Sequence, residues 1–291
     1  MQRGYRFNSM DSLFGQEGSP AMQSILETIA RIAMSDLGVL IAGESGTEKE
    51  LLARKIHELS GRAHQQFVHL NCSAFAHDLS GRELLGSEDM TLVGIEIQPG
   101  IIETAHGGTV YFDNISELPS TLRSKICRMV EDRYFRRVGG VEVVDVNARV
   151  IASISNRSGE TFVHEGSRRE LYYRMCAVCI NLPPLRERRE DIPILIEQYV
   201  LEAKNRTSHR LKGITNEALK LCLSYDWPGN TQELHQAMEH ALVACSNQFI
   251  RKSHLPKYLQ GYGTKDDERW TNNPVLTEVS SSFCPKEDDC E

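Results

Sequence analysis

From Gly43 to Glu50 the chain reads Gly43-Glu44-Ser45-Gly46-Thr47-Glu48-Lys49-Glu50. An apolar run, Val39-Leu40-Ile41-Ala42, precedes this stretch, and a periodic segment with Leu51, Leu52 and Ile56 follows it. Strand, tight turn and helix in that order aim backbone N–H groups and a helix N-terminus at an anion, which is the layout of a phosphate-binding loop. Lys49 stands where a lysine meets terminal phosphates as a point charge. Two positions depart from G-x-x-x-x-G-K-[ST]. Glu48 replaces the second glycine, and Glu50 replaces the hydroxyl that would bind Mg²⁺. A second chemical feature is Asp113-Asn114, which ends the apolar run Thr109-Val110-Tyr111-Phe112 after the turn Gly107-Gly108.

These residues need a frame that brings strand ends together. Met22, Ile25, Leu26, Ile29, Ile32 and Ala33 recur at helical spacing behind Ser19-Pro20, predicting a helix from Ala21 to Ala33. Further helices are expected from Lys49 to Leu59 and from Leu118 to Glu131. Phe67–Asn71, Thr109–Asp113, Arg149–Ile154 and Cys176–Leu182 read as strands, and residues 80–100 as irregular with an apolar tip at Leu92-Val93. Strands alternating with helices indicate a parallel sheet covered on both faces, with ligands at the strands' carboxyl ends. The Gly43 loop and Asp113 both fall there. Pro183 to Arg189 reads as a linker, followed by helices over Ile192–Ala203, Asn216–Ser224 and Thr231–Cys245, with Asn230 as an expected N-cap. The polar, acidic tail beyond Thr264 reads as disordered.

Composition narrows the classes. With 40% hydrophobic and 25% charged residues in 291, the chain has the profile of a globular protein with a sizeable core. A net charge of −7 argues against a broadly basic nucleic-acid surface. No apolar run approaches the roughly 20 residues of a membrane helix. The N-terminus lacks a signal-peptide core, so a cytoplasmic location is expected. Cys176-Ala177-Val178-Cys179 is a lone C-x-x-C without a second pair, which favours buried thiols over a zinc site.

Several longer stretches resemble one family. They are Gly43–Thr47, Val68-His69-Leu70-Asn71-Cys72, Gly107-Gly108-Thr109, Ile115–Pro119, Leu171-Tyr172-Tyr173-Arg174, Leu182–Arg188 and Trp227-Pro228-Gly229-Asn230. Over about Leu13 to Leu259 the chain is similar to the AAA+ ATPase domain of bacterial sigma-54-dependent transcription activators. The resemblance implies an α/β P-loop core with a parallel sheet between helices, then a small all-helical lid. It also implies a homo- or hetero-oligomeric ring with ATP and Mg²⁺ held between protomers, acting on the transcription machinery through a surface loop.

Carried over residue by residue, the resemblance assigns nucleotide binding to Gly43, Glu44, Ser45, Gly46, Thr47, Glu48, Lys49, Glu50, Asp113 and Gln232. Asp113 is the expected holder of Mg²⁺ through water. Glu50 is common in the family; Glu48 is a departure, because a side chain occupies room that glycine leaves for phosphate. Its carboxylate would also repel a triphosphate by several kcal/mol, on the order expected at contact with an effective dielectric near 20. One further expectation is that Glu48 fills the loop's own anion position. Asn114 replaces the acid that polarises the attacking water, and an amide cannot take its proton. Arg168 and Arg174 match the trans-acting arginine fingers, and the sensor falls near Ser155-Asn156. Gln232 replaces a nucleotide-sensing arginine. Of the sigma-54-contacting loop, Met90–Ile95 keeps only Gly94, which argues against direct promoter opening.

The expected organisation is an N-terminal segment (1–12), the AAA+ core (13–183), linker and lid (184–260) and an acidic tail (261–291). No receiver domain, DNA-binding domain or membrane segment is visible. The function expected is that of a transcription-regulating, ATP-binding AAA+ protein with impaired or absent hydrolysis and no direct sigma-54 remodelling. The alternatives are a regulatory ring subunit donating Arg168 and Arg174, a slow ATPase, or an interaction scaffold.

Overall fold

The structure, a computed structural model, describes residues 18–75, 80–91, 94–155, 175–206 and 211–261. The elements run α1 (Pro20–Ala33), β1 (Val39–Gly43), α2 (Lys49–Glu58), β2 (Phe67–Asn71), α3 (Ser80–Leu85), β3 (Ser87–Thr91), β4 (Gly94–Gln98) and β5 (Thr109–Asp113). There follow α4 (Ser120–Asp132), β6 (Tyr134–Arg136), β7 (Val143–Asp145), β8 (Arg149–Ser155) and β9 (Val178–Asn181). The C-terminal part holds α5 (Asp191–Arg206), β10 (Gly213–Ile214), α6 (Asn216–Ser224), α7 (Asn230–Ala244), β11 (Phe249–Ile250) and α8 (Lys257–Gln260). Two compact units result. One comprises Ile25–Glu44 and Glu48–Leu182; the other comprises Ser45–Thr47 with the residues before Ile25 and from Pro183 onward.

Five strands of the first unit form a parallel sheet in the order β2-β5-β8-β1-β9. Covered parallel strands need apolar side chains on both faces. Accordingly β1 is buried along its whole length, and β8 from Arg149 to Ile154. Leu40, Ala42, Val110, Phe112, Val150 and Ala152 share one core with Leu122, Ile126 and Met129 of α4. Arg149 is a buried charge within this sheet. It is 1% exposed, and its guanidinium donates to the Ala33 carbonyl at 2.5 Å and the Ile32 carbonyl at 3.1 Å. Those carbonyls close α1, where no intrahelical donor remains and a cation is favoured.

Residues 80–100 are more regular than expected. α3 is followed by an antiparallel hairpin in which Ser87 faces Gln98 and Thr91 faces Gly94. Ile95 and Ile97 alternate at strand spacing, yet β4 is exposed throughout, so the pattern marks no core and does not read as a strand. The tip expected at Leu92-Val93 lies outside the described residues. The short hairpin β6–β7 also went unpredicted, its three-residue strands being too brief to show a period. Arg137 fastens the two hairpins. It donates to both carboxylate oxygens of Glu103 at 2.9 and 2.7 Å and to Glu88 at 3.0 Å. Next to it, Glu88 N–H donates to the Val138 carbonyl and Val138 N–H to that of Gly86.

The second unit is helical, with one addition: β10 and β11 pair in parallel over two residues each, too short to register as a pattern. Trp227 is fully buried and donates from Nε1 to the Cys222 carbonyl at 2.8 Å. Asn230 is not the N-cap that was expected. Gly229 holds that place and α7 begins at Asn230 itself, whose buried side chain accepts from Leu185 N–H at 2.8 Å. The linker contains a 3-10 turn, Leu185–Glu187.

The Arg149 contacts lead to a stability prediction. Arg149→Met should lower unfolding free energy by about 3 kcal/mol, given the usual worth of hydrogen bonds from a charged donor. Urea denaturation checks this; an unshifted midpoint would show that the α1 carbonyls find other donors.

Candidate functional site

β1 delivers Gly43 to the sheet's carboxyl end, directly opposite Ser155 of β8. Lys49 opens α2 with a side chain turned into the loop. Its Nζ donates to the carbonyls of Gly43 at 3.1 Å and Glu44 at 2.9 Å, and to Ser155 Oγ at 3.2 Å. Burial lowers its pKa, and the Asp113 carboxylate works in the opposite direction. To reach a phosphate, Lys49 has to exchange these partners for it.

Glu48 has φ 67 and ψ 40, the left-handed conformation. Glycine adopts it freely, whereas a residue with a Cβ is penalised by roughly 1–2 kcal/mol. The side chain provides no cap hydrogen bond to α2. The cost of Glu48 that the geometry shows lies in its backbone. Gly46 is also left-handed, at φ +79, and a Cβ there would lie 2.2 Å from the Gly229 carbonyl oxygen. Within the unit to which Ser45–Thr47 belong, Asn230 Nδ2 donates to the Ser45 carbonyl at 2.9 Å and Thr231 Oγ1 to that of Gly46 at 2.5 Å. Gln232 reaches the Gly46 carbonyl through its backbone N–H at 3.3 Å.

Parallel register builds the second half of the site. His69 lies opposite Tyr111, and Asn71 opposite Asp113. The carboxylate of Asp113 accepts from Ser153 Oγ at 2.7 Å and Tyr111 OH at 3.0 Å, both on Oδ1. Its Oδ2 is 3.8 Å from His69 Nε2, an ion-pair distance rather than a hydrogen bond. The other ring nitrogen, Nδ1, is 3.3 Å from Glu50 Oε1, which also accepts from Arg54 Nε at 3.0 Å and Nη2 at 2.7 Å. Asp113 and Glu50 together raise the His69 pKa to about 9 against the effect of burial. His69, with Arg54 assisting, holds Glu50 down to about 2. For Asp113, burial opposes the charge, but the neighbouring His69 and the hydrogen bonds from Ser153 and Tyr111 outweigh it.

Asn114 follows with φ 54, a conformation asparagine tolerates. Its N–H donates to Ser153 Oγ at 2.9 Å, and its Oδ1 accepts from Ser155 Oγ at 2.6 Å. Ser155 thus joins Asn114 to Lys49. The structure brings together Lys49, Glu50, Asp113 and Asn114. To these it adds His69, Tyr111 and Ser153, which sequence reasoning left as strand residues. Polar types at alternate positions near strand carboxyl ends were the signal available for them. Ser155, one of the two residues near which the sensor is expected, accepts from Lys49 Nζ and donates to Asn114 Oδ1; Asn156, Arg168 and Arg174 lie outside the described residues. Of the lone C-x-x-C, Cys176 is buried and Cys179 exposed.

Two measurements follow from this geometry. The contribution of His69 is fully present below its unfolded value near 6.5 and is lost as pH rises through about 9. Denaturation in EDTA should therefore show stability falling over that window, and His69→Ala should remove this part of the slope. Glu48→Gly relieves a left-handed side-chain residue, so it should stabilise the chain by about 1 kcal/mol. Thermal or urea melts check it; a destabilised variant would mean that the Glu48 side chain contributes more than its backbone costs.

Comparison with known proteins points to one family. Residues 16–181 match the Sigma-54 interaction domain family, and residues 186–271 the AAA+ ATPase lid domain. The transcriptional regulatory protein ZraR of Salmonella typhimurium is 36% identical over 94% of this chain and 60% of its own length. Regulatory protein AtoC of Escherichia coli is 39% identical over 83% of this chain and 53% of its own length. NtrX from Brucella abortus, solved in complex with ATP, has a TM-score of 0.72 at 32% identity, covering 83% of this chain and 56% of that one. The chain thus spans a little over half the length of these relatives. It belongs to the family of sigma-54-dependent transcriptional regulators, as an AAA+ domain with its lid.

Proposed function

We propose that this chain binds ATP at the Gly43–Glu50 loop and hydrolyses it slowly or not at all, acting as a transcription regulator through its nucleotide-bound form. Binding is supported by the retained Lys49, by the left-handed turns of the loop, and by a relative solved with ATP. The observation that carries the second half is Asn114. Its amide oxygen is engaged by Ser155 Oγ at 2.6 Å, in the place where the family has a carboxylate. An amide orients water without accepting its proton, and loss of such a group slows a reaction by about 10²–10⁴-fold. In an oligomeric ring, Arg168 and Arg174 would serve a neighbour's nucleotide. With only Gly94 retained in Met90–Ile95, that ring would act on transcription partners without remodelling sigma-54 itself.

Calorimetry should detect ATP binding to the parent chain and tighter binding to Glu48→Gly; no heat with either would overturn the reading. Phosphate release from the parent should sit near background; a parent already turning over at several per second would sink the hydrolysis half.

A further inference from the structure

Asp113 and Glu50 hold the positions at which the family's metal would be met, and the residues around them do not fit a divalent cation. Three of the carboxylate oxygens there already face other groups. Asp113 Oδ1 takes the Ser153 and Tyr111 hydroxyls at 2.7 and 3.0 Å. Asp113 Oδ2 faces His69 Nε2 at 3.8 Å, and Glu50 Oε1 faces His69 Nδ1 at 3.3 Å. The two nitrogens leave an imidazole in diverging directions, so the ring itself stands between the carboxylates. Mg²⁺ demands near-ideal octahedral oxygen ligands at about 2.0–2.1 Å and keeps several waters, so the ring competes with it for the space between the two carboxylates. The Arg54 guanidinium on the same Glu50 oxygen adds repulsion toward a second cation.

The ring is also held in place. It sits 5.2 Å from the Tyr111 ring, its direct neighbour across the β2–β5 pairing. Tyr111 in turn stacks on Phe67 at 6.0 Å, and Arg54 lies 4.7 Å over the Phe67 face. Phe67, His69, Tyr111 and Asp113 alternate along two strands, so one face of the sheet edge carries the whole set.

We propose that the His69 side chain, seated between Glu50 and Asp113, occupies the divalent-cation position, so that this chain takes nucleotide without a metal. The proposal rests on the nucleotide-binding reading above. It separates His69 from a general strand residue, because Ala, Val or Thr would fill the strand equally well and leave the position open.

The test uses the full chain, a fluorescent ATP analogue, and either EDTA or Mn²⁺. The parent should bind the analogue within twofold in the two conditions, and His69→Val should gain at least tenfold from Mn²⁺. Adding Asp113→Ala to His69→Val should abolish that gain. A parent whose binding is tightened tenfold by Mn²⁺, or a His69→Val variant indifferent to it, overturns the proposal. Absence of analogue binding in every case overturns the nucleotide reading instead. Melting with Mn²⁺ alone then decides: stabilisation confined to His69→Val supports the cation position, and equal shifts or none refute it. Should His69→Val fold poorly, His69→Thr serves in the same comparison.

Discussion

The placement of β5 between β2 and β8 is the constraint on which the site depends. Parallel pairing without a slip brings Tyr111 level with His69 on one side and Asp113 within hydrogen-bond reach of Ser153 on the other. Because side chains alternate faces, a shift of one residue in either ladder would turn Asp113 toward the opposite layer. The apolar stretches Val110–Phe112 and Val150–Ala152 fix that register by burial. Core packing and site geometry are therefore one specification, and the polar cluster is located by residues that touch no ligand.

Two non-glycine residues in the left-handed region flank this cluster, and they differ in chemistry. Asn114 suits such a backbone and has a serine partner for its amide. Glu48 suits it poorly, and it stands in the loop where close approach matters most. These are two positions, one in the loop and one at the end of β5, at which the residues depart from the family pattern, and the proposed binding without rapid turnover rests on them.

Much of this could be read from residues alone. β2 and β5 run between the expected ends, since each is a short apolar run bounded by turn residues. Lys49, Asp113 and Asn114 were legible because spacing from a strand end defines them. His69 was not, because nothing in a strand pattern says that a histidine will meet the carboxylate of Glu50, nineteen residues earlier in the chain. Asn230 misled for a related reason. Asparagine before a helical run usually caps it, but burial redirected both ends of its amide to Leu185 and Ser45. The β3–β4 hairpin escaped notice because its alternation faces solvent, where apolar and polar residues are equally tolerated.

The Arg137 contacts have a mechanical meaning. Glu103, Glu88 and the backbone exchange around Val138 tie the roots of two projecting hairpins into a single block. A force applied near the β3–β4 turn would meet a stiff crank rather than two independent levers. Movement at that turn would travel into β6–β7 and, through Val146 N–H on the Arg133 carbonyl, to the end of α4. Without the Arg137 guanidinium the Glu88 and Glu103 carboxylates would lose their shared partner, and the backbone exchange around Val138 would be left to couple the two hairpins.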